Sequence, residues 1–506
     1  MITTLGLKFG RAPGAPGQTI SATPVTVFVG PNNSGKSRIL REIEHYCRQG
    51  YKDAGALLLA DLSFGGLDAS IAAQSIARLR QPPNPGEALN VDHIFVGSRY
   101  GRQQVPAADL NQFVQSPGKN LRAFCQWYLT HYTLMLDGRS RINLVNQQGG
   151  GDLQRPPESS FQVLFRDDSK RHEVRRIVLD AFGRHFVLDP THLGHLRIRL
   201  ADRAPRDDME ERGIHADAVR FHSAAQLIDE GSDGVKAFTG IVTEVMAGDP
   251  SIILVDEPEA FLHPSLASKL GQEVARAALS ADKRVFASTH SPQFVMGCIQ
   301  SGAPVNIVRL TYRGGVATAR LLPSDEILEL MRHPLLRSTG VLSGLFYEFV
   351  VVTESDADRA FYQEVNERLL QFKSDWGIPN CLFINAQNKQ TVQTLLRPLR
   401  KLGIPAAGIV DVDVLKEGGT NWTNLLTSAE VPPISHGSFA TMRAAIKQAM
   451  DGTGKDMKRD GGLGILVGAD RQAADDLLKQ LREYGVFVVP GGELESWVKG
   501  LGVKLQ

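Results

Sequence analysis

The chain has 506 residues, and its 56 Lys+Arg nearly cancel its 55 Asp+Glu, so the formal charge of +1 points to neither a nucleic-acid nor a membrane partner. Four cysteines, Cys47, Cys125, Cys298 and Cys381, lack both zinc-site spacing and disulfide density, and no apolar run reaches the ~20 residues that span a bilayer. With no signal-type apolar core in Met1 to Lys8, the expected setting is the reducing cytoplasm, and the length predicts about two or three domains.

Taken in chain order, the β-branched and aromatic run Val25 to Val29 predicts a strand feeding Gly30-Pro31-Asn32-Asn33-Ser34-Gly35-Lys36-Ser37, and Arg38 to Glu44 has helical apolar spacing. This is a P-loop in its proper context. Backbone N–H groups of Gly30, Asn33 and Gly35 cradle phosphates, Lys36 reaches the β and γ phosphates of ATP, and Ser37 ligates Mg²⁺. Residues 92–217 read as an insertion in this module, a candidate dimerisation or DNA-contact element. Its Arg171, Arg175, Arg176, Arg197 and Arg199 are candidate phosphate contacts, with solvated helix faces as the plain alternative.

Next comes the apolar run Ile252 to Val255, ending in Asp256-Glu257, and the strand Val285 to Ala287, ending in Ser288-Thr289-His290. A carboxylate at the end of a buried parallel strand faces the nucleotide, so Asp256 is expected at the Mg²⁺ and Glu257 to orient or deprotonate the attacking water. A charged turn after a core strand is the alternative. Pro334, Gly340 and Gly344 then mark a boundary, giving an ATPase domain over 1–91 and 218–335 and a second domain over 345–506. That second domain alternates strand and helix from Phe349 onward, as a parallel sheet does. Glu354, Asp356 and Asp358 follow its first strand and Asp411-Val412-Asp413 its third, so carboxylates can converge on a divalent metal at one sheet edge.

These motifs resemble two known assemblies. Glu257-Pro258-Glu259-Ala260-Phe261-Leu262-His263-Pro264 resembles the Walker B extension and D-loop of ABC-type ATPases of the structural-maintenance and RecF-like group. Ser288-Thr289-His290-Ser291 resembles its switch-histidine strand, which implies that His290 contacts the γ-phosphate. Gly231-Ser232-Asp233-Gly234 resembles the signature that closes on ATP from a second subunit, which implies that Ser232 and Gly234 bind nucleotide across a homodimer. Glu354 to Asp358, Asn388-Lys389-Gln390 and Asp411-x-Asp413 resemble a TOPRIM domain, with Ser355 where that family usually has glycine; Gly491-Gly492-Glu493-Leu494-Glu495 resembles a later acidic motif.

The whole layout is similar to OLD (overcoming lysogenization defect) nucleases, including the effectors of Gabija-type phage defence. It implies an α/β chain: an ABC-type P-loop ATPase with an inserted segment, followed by a TOPRIM parallel-sheet domain. By that resemblance Glu354, Asp358, Asp411 and Asp413, with Glu493 or Glu495, hold one or two Mg²⁺ or Mn²⁺ ions, and Lys389 steadies a phosphate. Lys499 and Lys504 are candidates for a terminal lysine by position alone. Arg397, Arg400 and Lys401 are further DNA-contact candidates. The activity it implies is ATP-regulated, metal-dependent DNA cleavage by a homodimer or larger homo-oligomer, with an accessory defence protein as a possible partner. A RecF-like DNA clamp or sensor without nuclease activity, and an RNA-cleaving effector, remain the alternatives.

Overall fold

The computed structural model describes residues 1–98, 101–155, 157–494 and 496, and the chain divides into two units, Met1–Leu328 and Glu329–Gln506. The first unit is organised by a six-stranded sheet in the order Val316–Leu322, Val305–Arg313, Val25–Val29, Arg284–Ser288, Ile252–Asp256 and Thr133–Leu136. All neighbours are parallel except the first pair. Val25, Val27, Phe28 and Val29 are wholly buried, as are Ile252, Ile253 and Leu254, which is why both runs are continuously apolar rather than alternating. The helices Lys36–Gln49 and Pro264–Ser280 bury one apolar face each, through Ile39, Leu40 and Ile43 in the first and Leu270 and Val274 in the second. Ile2–Leu7 pairs antiparallel with Gln18–Ser21 and with Leu59–Phe64, a smaller sheet whose Ile2, Leu5 and Leu62 share a core with Phe28 and Phe286.

The segment 92–217 does not stand apart as one insertion. Its strand Thr133–Leu136 is an edge of the central sheet, paired in parallel with Ile252 to Val255. Four residues without alternation carry too little periodicity to be told from a loop, so the sequence pattern hid this strand. The remainder includes the hairpin His185–Asp189 and His195–Ala201 and the helix Asp168–Phe182, whose Phe182 ring packs edge-on against Phe238 at 5.2 Å.

The candidate arginines of this region are engaged in ion pairs, with Arg171 fully buried and Arg176 still 48% exposed. Arg171 and Glu211, both fully buried, meet at 3.0 Å, and Arg175 reaches the same carboxylate. Arg197 and Arg199 converge on buried Asp189 at 2.8 and 2.6 Å, and Arg176 bridges Glu173 and Glu273. Desolvation makes the pairs on Glu211 and Asp189 self-contained, because Arg171, Arg175, Arg197 and Arg199 each donate to a buried carboxylate.

The second unit holds a four-stranded sheet, every neighbour parallel, in the order Cys381–Asn385, Phe349–Thr353, Ala406–Val410 and Val486–Val488. The helices Asp356–Phe372, Lys389–Lys401 and Gly468–Glu483 follow or precede these strands as crossovers. Parallel pairing brings the ends at Thr353 and Val410 to one edge, so Glu354 and Asp411 leave the sheet side by side. Between Val410 and Val486 runs a long connection carrying the helices Gly419–Ser428 and His436–Gly452. Arg400, a DNA-contact candidate, instead donates to the carbonyls of Ala406, Ala429 and Tyr484.

Candidate functional site

The Gly30 to Ser37 loop joins a central strand to the N-terminus of the helix Lys36–Gln49, so free N–H groups and the positive end of the helix dipole face one point. Gly30 adopts φ +143° and lies so close to Leu310 that a β-carbon would fall 2.0 Å from its carbonyl oxygen. Only glycine fits there. Asn33 and Gly35 are also left-handed, at φ +60° and +94°. Lys36 Nζ donates to the carbonyls of Gly30 and Pro31 at 2.9 and 2.8 Å. Burial lowers its pKa to about 8, against the opposing pull of Glu257, Asp256 and Glu259. Ser34 Oγ is buried without a partner.

Strand register brings Asp256 beside Ser288, and Asp256 Oδ1 accepts from Ser37 Oγ at 2.8 Å and from Ser288 Oγ. The P-loop hydroxyl and the strand-end carboxylate thus form one oxygen-rich corner, which suits Mg²⁺. Glu257 takes a left-handed φ of +51°, half-exposed, with its carboxylate 3.9 Å from His290 Nε2. Burial, and then the Lys36 ammonium, lower the pKa of His290. The nucleotide and hydrolysis candidates Lys36, Ser37, Asp256, Glu257 and His290 are therefore brought together.

Ser232 and Gly234 lie elsewhere in the unit. Ser232 caps the helix Asp233–Ala247, and Gly234 approaches Phe261 so closely that a β-carbon would sit 2.5 Å from the Phe261 carbonyl oxygen. Ser232 Oγ accepts from the Val235 backbone N–H rather than from the P-loop. His263 is structural: its Nδ1 caps the helix Pro264–Ser280.

Sequence reasoning passed over two residues here. Glu259 Oε1 accepts from the His290 backbone N–H at 2.8 Å, its Oε2 is buried without a hydrogen bond, and burial raises its pKa. Arg141, on the short helix Ser140–Asn143 after the edge strand, donates to the carbonyls of Asp256, at 2.6 Å, and Glu257. Glu259 was legible only as part of a motif, and Arg141 carried no local signal.

In the second unit Glu354, Asp411 and Asp413 each offer a carboxylate oxygen within 4.8 Å of the others. Glu354 and Asp411 are each 9% exposed, so their charges are poorly hydrated. Glu354 Oε1 accepts from Asp411 N–H at 2.8 Å. Burial raises its pKa to about 7, and Asp411 and Asp413 push the same way. Burial also raises the pKa of Asp411, countered by Lys458 at 2.8 Å. Asp413 Oδ1 is buried without a partner. An all-oxygen donor set of mutually repelling carboxylates fits a divalent cation such as Mg²⁺ or Mn²⁺.

Of the expected ligands, Glu354, Asp411 and Asp413 form the close group among the described residues. Asp358 Oδ2 accepts from the Ser355 backbone N–H and hydroxyl in a capping box that starts the helix Asp356–Phe372, while its charge helps raise the pKa of Asp411. That bond also explains serine at position 355, whose hydroxyl caps the helix. Glu493 lies 3.8 Å from Lys458 rather than in the carboxylate triad. Lys389 pairs with Asp413 at 2.9 Å and Glu417 at 3.3 Å; burial pulls its ammonium down and these carboxylates more than reverse it. Glu495, Lys499 and Lys504 lie outside the described residues. Lys458 went unseen in the sequence because a long, largely helical connection separates it from Asp411, the acid it pairs with.

Residues 153–296 match a family described as "AAA domain, putative AbiEii toxin, Type IV TA system". No curated protein matches the chain. Among solved structures, an SMC head bound to the C-winged helix domain of ScpA is 12% identical, covering 65% of this chain and 99% of that one, with a TM-score of 0.37. The SMC head domain from Thermotoga maritima is 12% identical, over 64% of this chain and 99% of that one, with a TM-score of 0.32. An ATP-binding cassette of an ABC transporter, in its ADP conformation, is 15% identical over 67% and 98%, with a TM-score of 0.26. Among the described residues no helix is long and apolar enough to cross a membrane. With the P-loop, Asp256 and Glu257 gathered at the ends of parallel strands, and the AAA-domain match spanning Asp256 and Glu257, this chain carries an AAA-type P-loop ATPase domain.

Proposed function

We propose that the chain is an ATP-regulated, divalent-metal-dependent DNA endonuclease of the OLD type, acting in phage defence or DNA processing. The ATPase unit controls, and a TOPRIM-type second unit cuts. The observation that carries this reading is the convergence of Glu354, Asp411 and Asp413, with oxygens within 4.8 Å at a sheet edge. Glu354 and Asp411 bind the cation, and Asp413 adds its unpartnered Oδ1. When bound, a divalent ion supplies an acidified water and neutralises charge on the leaving oxygen. Lys458 and Lys389 hold Asp411 and Asp413 in place and are near enough to meet a substrate phosphate as it arrives.

In the ATPase unit, Lys36 exchanges its carbonyl partners for the nucleotide's phosphates, Ser37 and Asp256 hold Mg²⁺, and Glu257 takes a proton from the attacking water. Ser232 and Gly234 close on the nucleotide of a second copy, which makes ATP a clamp between protomers. An accessory defence protein fits the same scheme as a partner of the dimer.

A second reading, an ATP-dependent DNA clamp or sensor without nuclease activity, is favoured by one feature. Asp411 and Asp413 are each already neutralised by a lysine. Supercoiled plasmid incubated with Mg²⁺, Mn²⁺ or EDTA, with and without ATP, separates the two. Nicking that needs metal and disappears in Glu354→Gln supports the nuclease; no nicking under any condition supports the clamp. A parallel RNA substrate tests whether the sugar matters.

A further inference from the structure

Glu257, the residue that must aim a carboxylate at the attacking water, sits in a turn with two non-glycine residues in left-handed conformation, Glu257 at φ +51° and Phe261 at φ +68°. Such a turn persists only where its surroundings over-determine it. Arg141 supplies that constraint. It is 2% exposed and stands on the short helix Ser140–Asn143, which follows the edge strand Thr133–Leu136. One guanidinium nitrogen, Nη1, donates to both the Asp256 and the Glu257 carbonyls, and the guanidinium carbon lies 5.9 Å from the Phe261 ring centroid.

Its backbone leans the other way. A β-carbon added at Gly240 would lie 3.0 Å from the Arg141 carbonyl oxygen, so the helix Asp233–Ala247 rests directly on this residue. We propose that Arg141 is a positioning residue for ATP hydrolysis, fixing the Glu257 turn and joining it mechanically to the helix that Ser232 caps. Arg141 acts through Glu257: its Nη1 is spent on two backbone carbonyls, while its Nε is buried without a partner. The inference rests on the ATPase reading.

The test compares wild type, Lys36→Ala, Arg141→Ala and Arg141→Lys for ATP turnover, binding of a fluorescent ATP analogue, and thermal unfolding. Arg141→Ala lowers kcat by about ten-fold or more while KM and nucleotide affinity stay within about two-fold, since the lost interaction orients the hydrolytic group rather than the phosphates. Arg141→Lys restores part of kcat, because an ammonium supplies donors without the planar fork. Should Arg141→Ala fail to fold, the lysine variant carries the test: a folded Arg141→Lys with wild-type kcat overturns the proposal. A kcat that declines only in step with the unfolded fraction overturns it too. If the wild type itself hydrolyses no more ATP than Lys36→Ala, the ATPase reading falls and takes this inference with it.

Discussion

In the first unit the strand-end carboxylate Asp256 is met by hydroxyls, Ser37 and Ser288, whereas in the second unit Asp411 and Asp413 are met by the ammonium groups of Lys458 and Lys389. Both corners lie at the carboxyl edge of parallel strands, so the difference is chemical rather than architectural. A hydroxyl leaves the carboxylate its charge and can itself ligate a cation, so the first corner is a half-built Mg²⁺ site. A lysine neutralises the carboxylate, so the second corner gathers three acids only because cations from distant segments share the burden.

The largest effect expected from breaking this contrast is at the second corner. Glu354→Gln or Asp411→Asn lowers metal-dependent plasmid cleavage by more than about 100-fold, with ATP turnover within about two-fold of wild type. Gel assays and phosphate release on the same preparations read both. A matched loss of ATP turnover would mean that the two corners are one functional site. Next in size is a purely structural effect: Arg171→Ala removes one of two arginines on fully buried Glu211, leaves Arg175, and costs about 1.5–3 kcal/mol of stability by urea unfolding. Its DNA affinity per folded molecule is unchanged, because Arg171 is sealed among Glu211, Asp168 and Asp208.

The hydroxyl corner was legible in the sequence and the ammonium corner only in part, for a physical reason. Gly30 to Ser37 is contiguous because backbone N–H groups must wrap one phosphate chain, and Asp256-Glu257 announces itself by ending an apolar strand. Glu354 and Asp411 could be read in the same way, as acids after strands. Lys458 could not, since its place is set by how the connection between Val410 and Val486 folds back. Arg141 and Thr133–Leu136 were hidden likewise: a four-residue edge strand and a single arginine have no periodicity, and only tertiary pairing gives them a role. Asp358 shows a different limit: the motif could not reveal that its Oδ2 caps its own helix while its charge still bears on Asp411.

The contrast also has a pH signature. Glu354 titrates near 7 rather than 4.5 because burial penalises its charge, so the folded, metal-free protein keeps a proton that the unfolded chain has released. The unfolded state then binds fewer protons, and stability falls as pH rises from 4.5 through about 7. Melting temperatures in EDTA should decline across that window, and Glu354→Gln should flatten the decline. Added Mn²⁺ should raise the melting temperature more at the alkaline end, where the carboxylate is free of its proton. An unchanged slope in Glu354→Gln would assign the pH dependence to other groups.

The smallest effect is expected where the first corner is redundant. Ser288→Ala removes one of two hydroxyls on Asp256 Oδ1 and leaves Ser37 at 2.8 Å. A hydrogen bond to a charged acceptor is worth roughly 1.5–3 kcal/mol, but Asp256 stays partly hydrated and keeps its second donor, so ATP turnover should fall only about three- to ten-fold. The loss should appear in kcat, because Ser288 orients the carboxylate while the P-loop still holds the phosphates. Steady-state phosphate release over a range of ATP concentrations separates the two constants. A defect as deep as that of Lys36→Ala would mean that Ser288, buried on its strand, sets the position of Asp256 before the nucleotide arrives. The corner would then resemble its counterpart around Asp411, where a fixed partner rather than the incoming cation organises the acid.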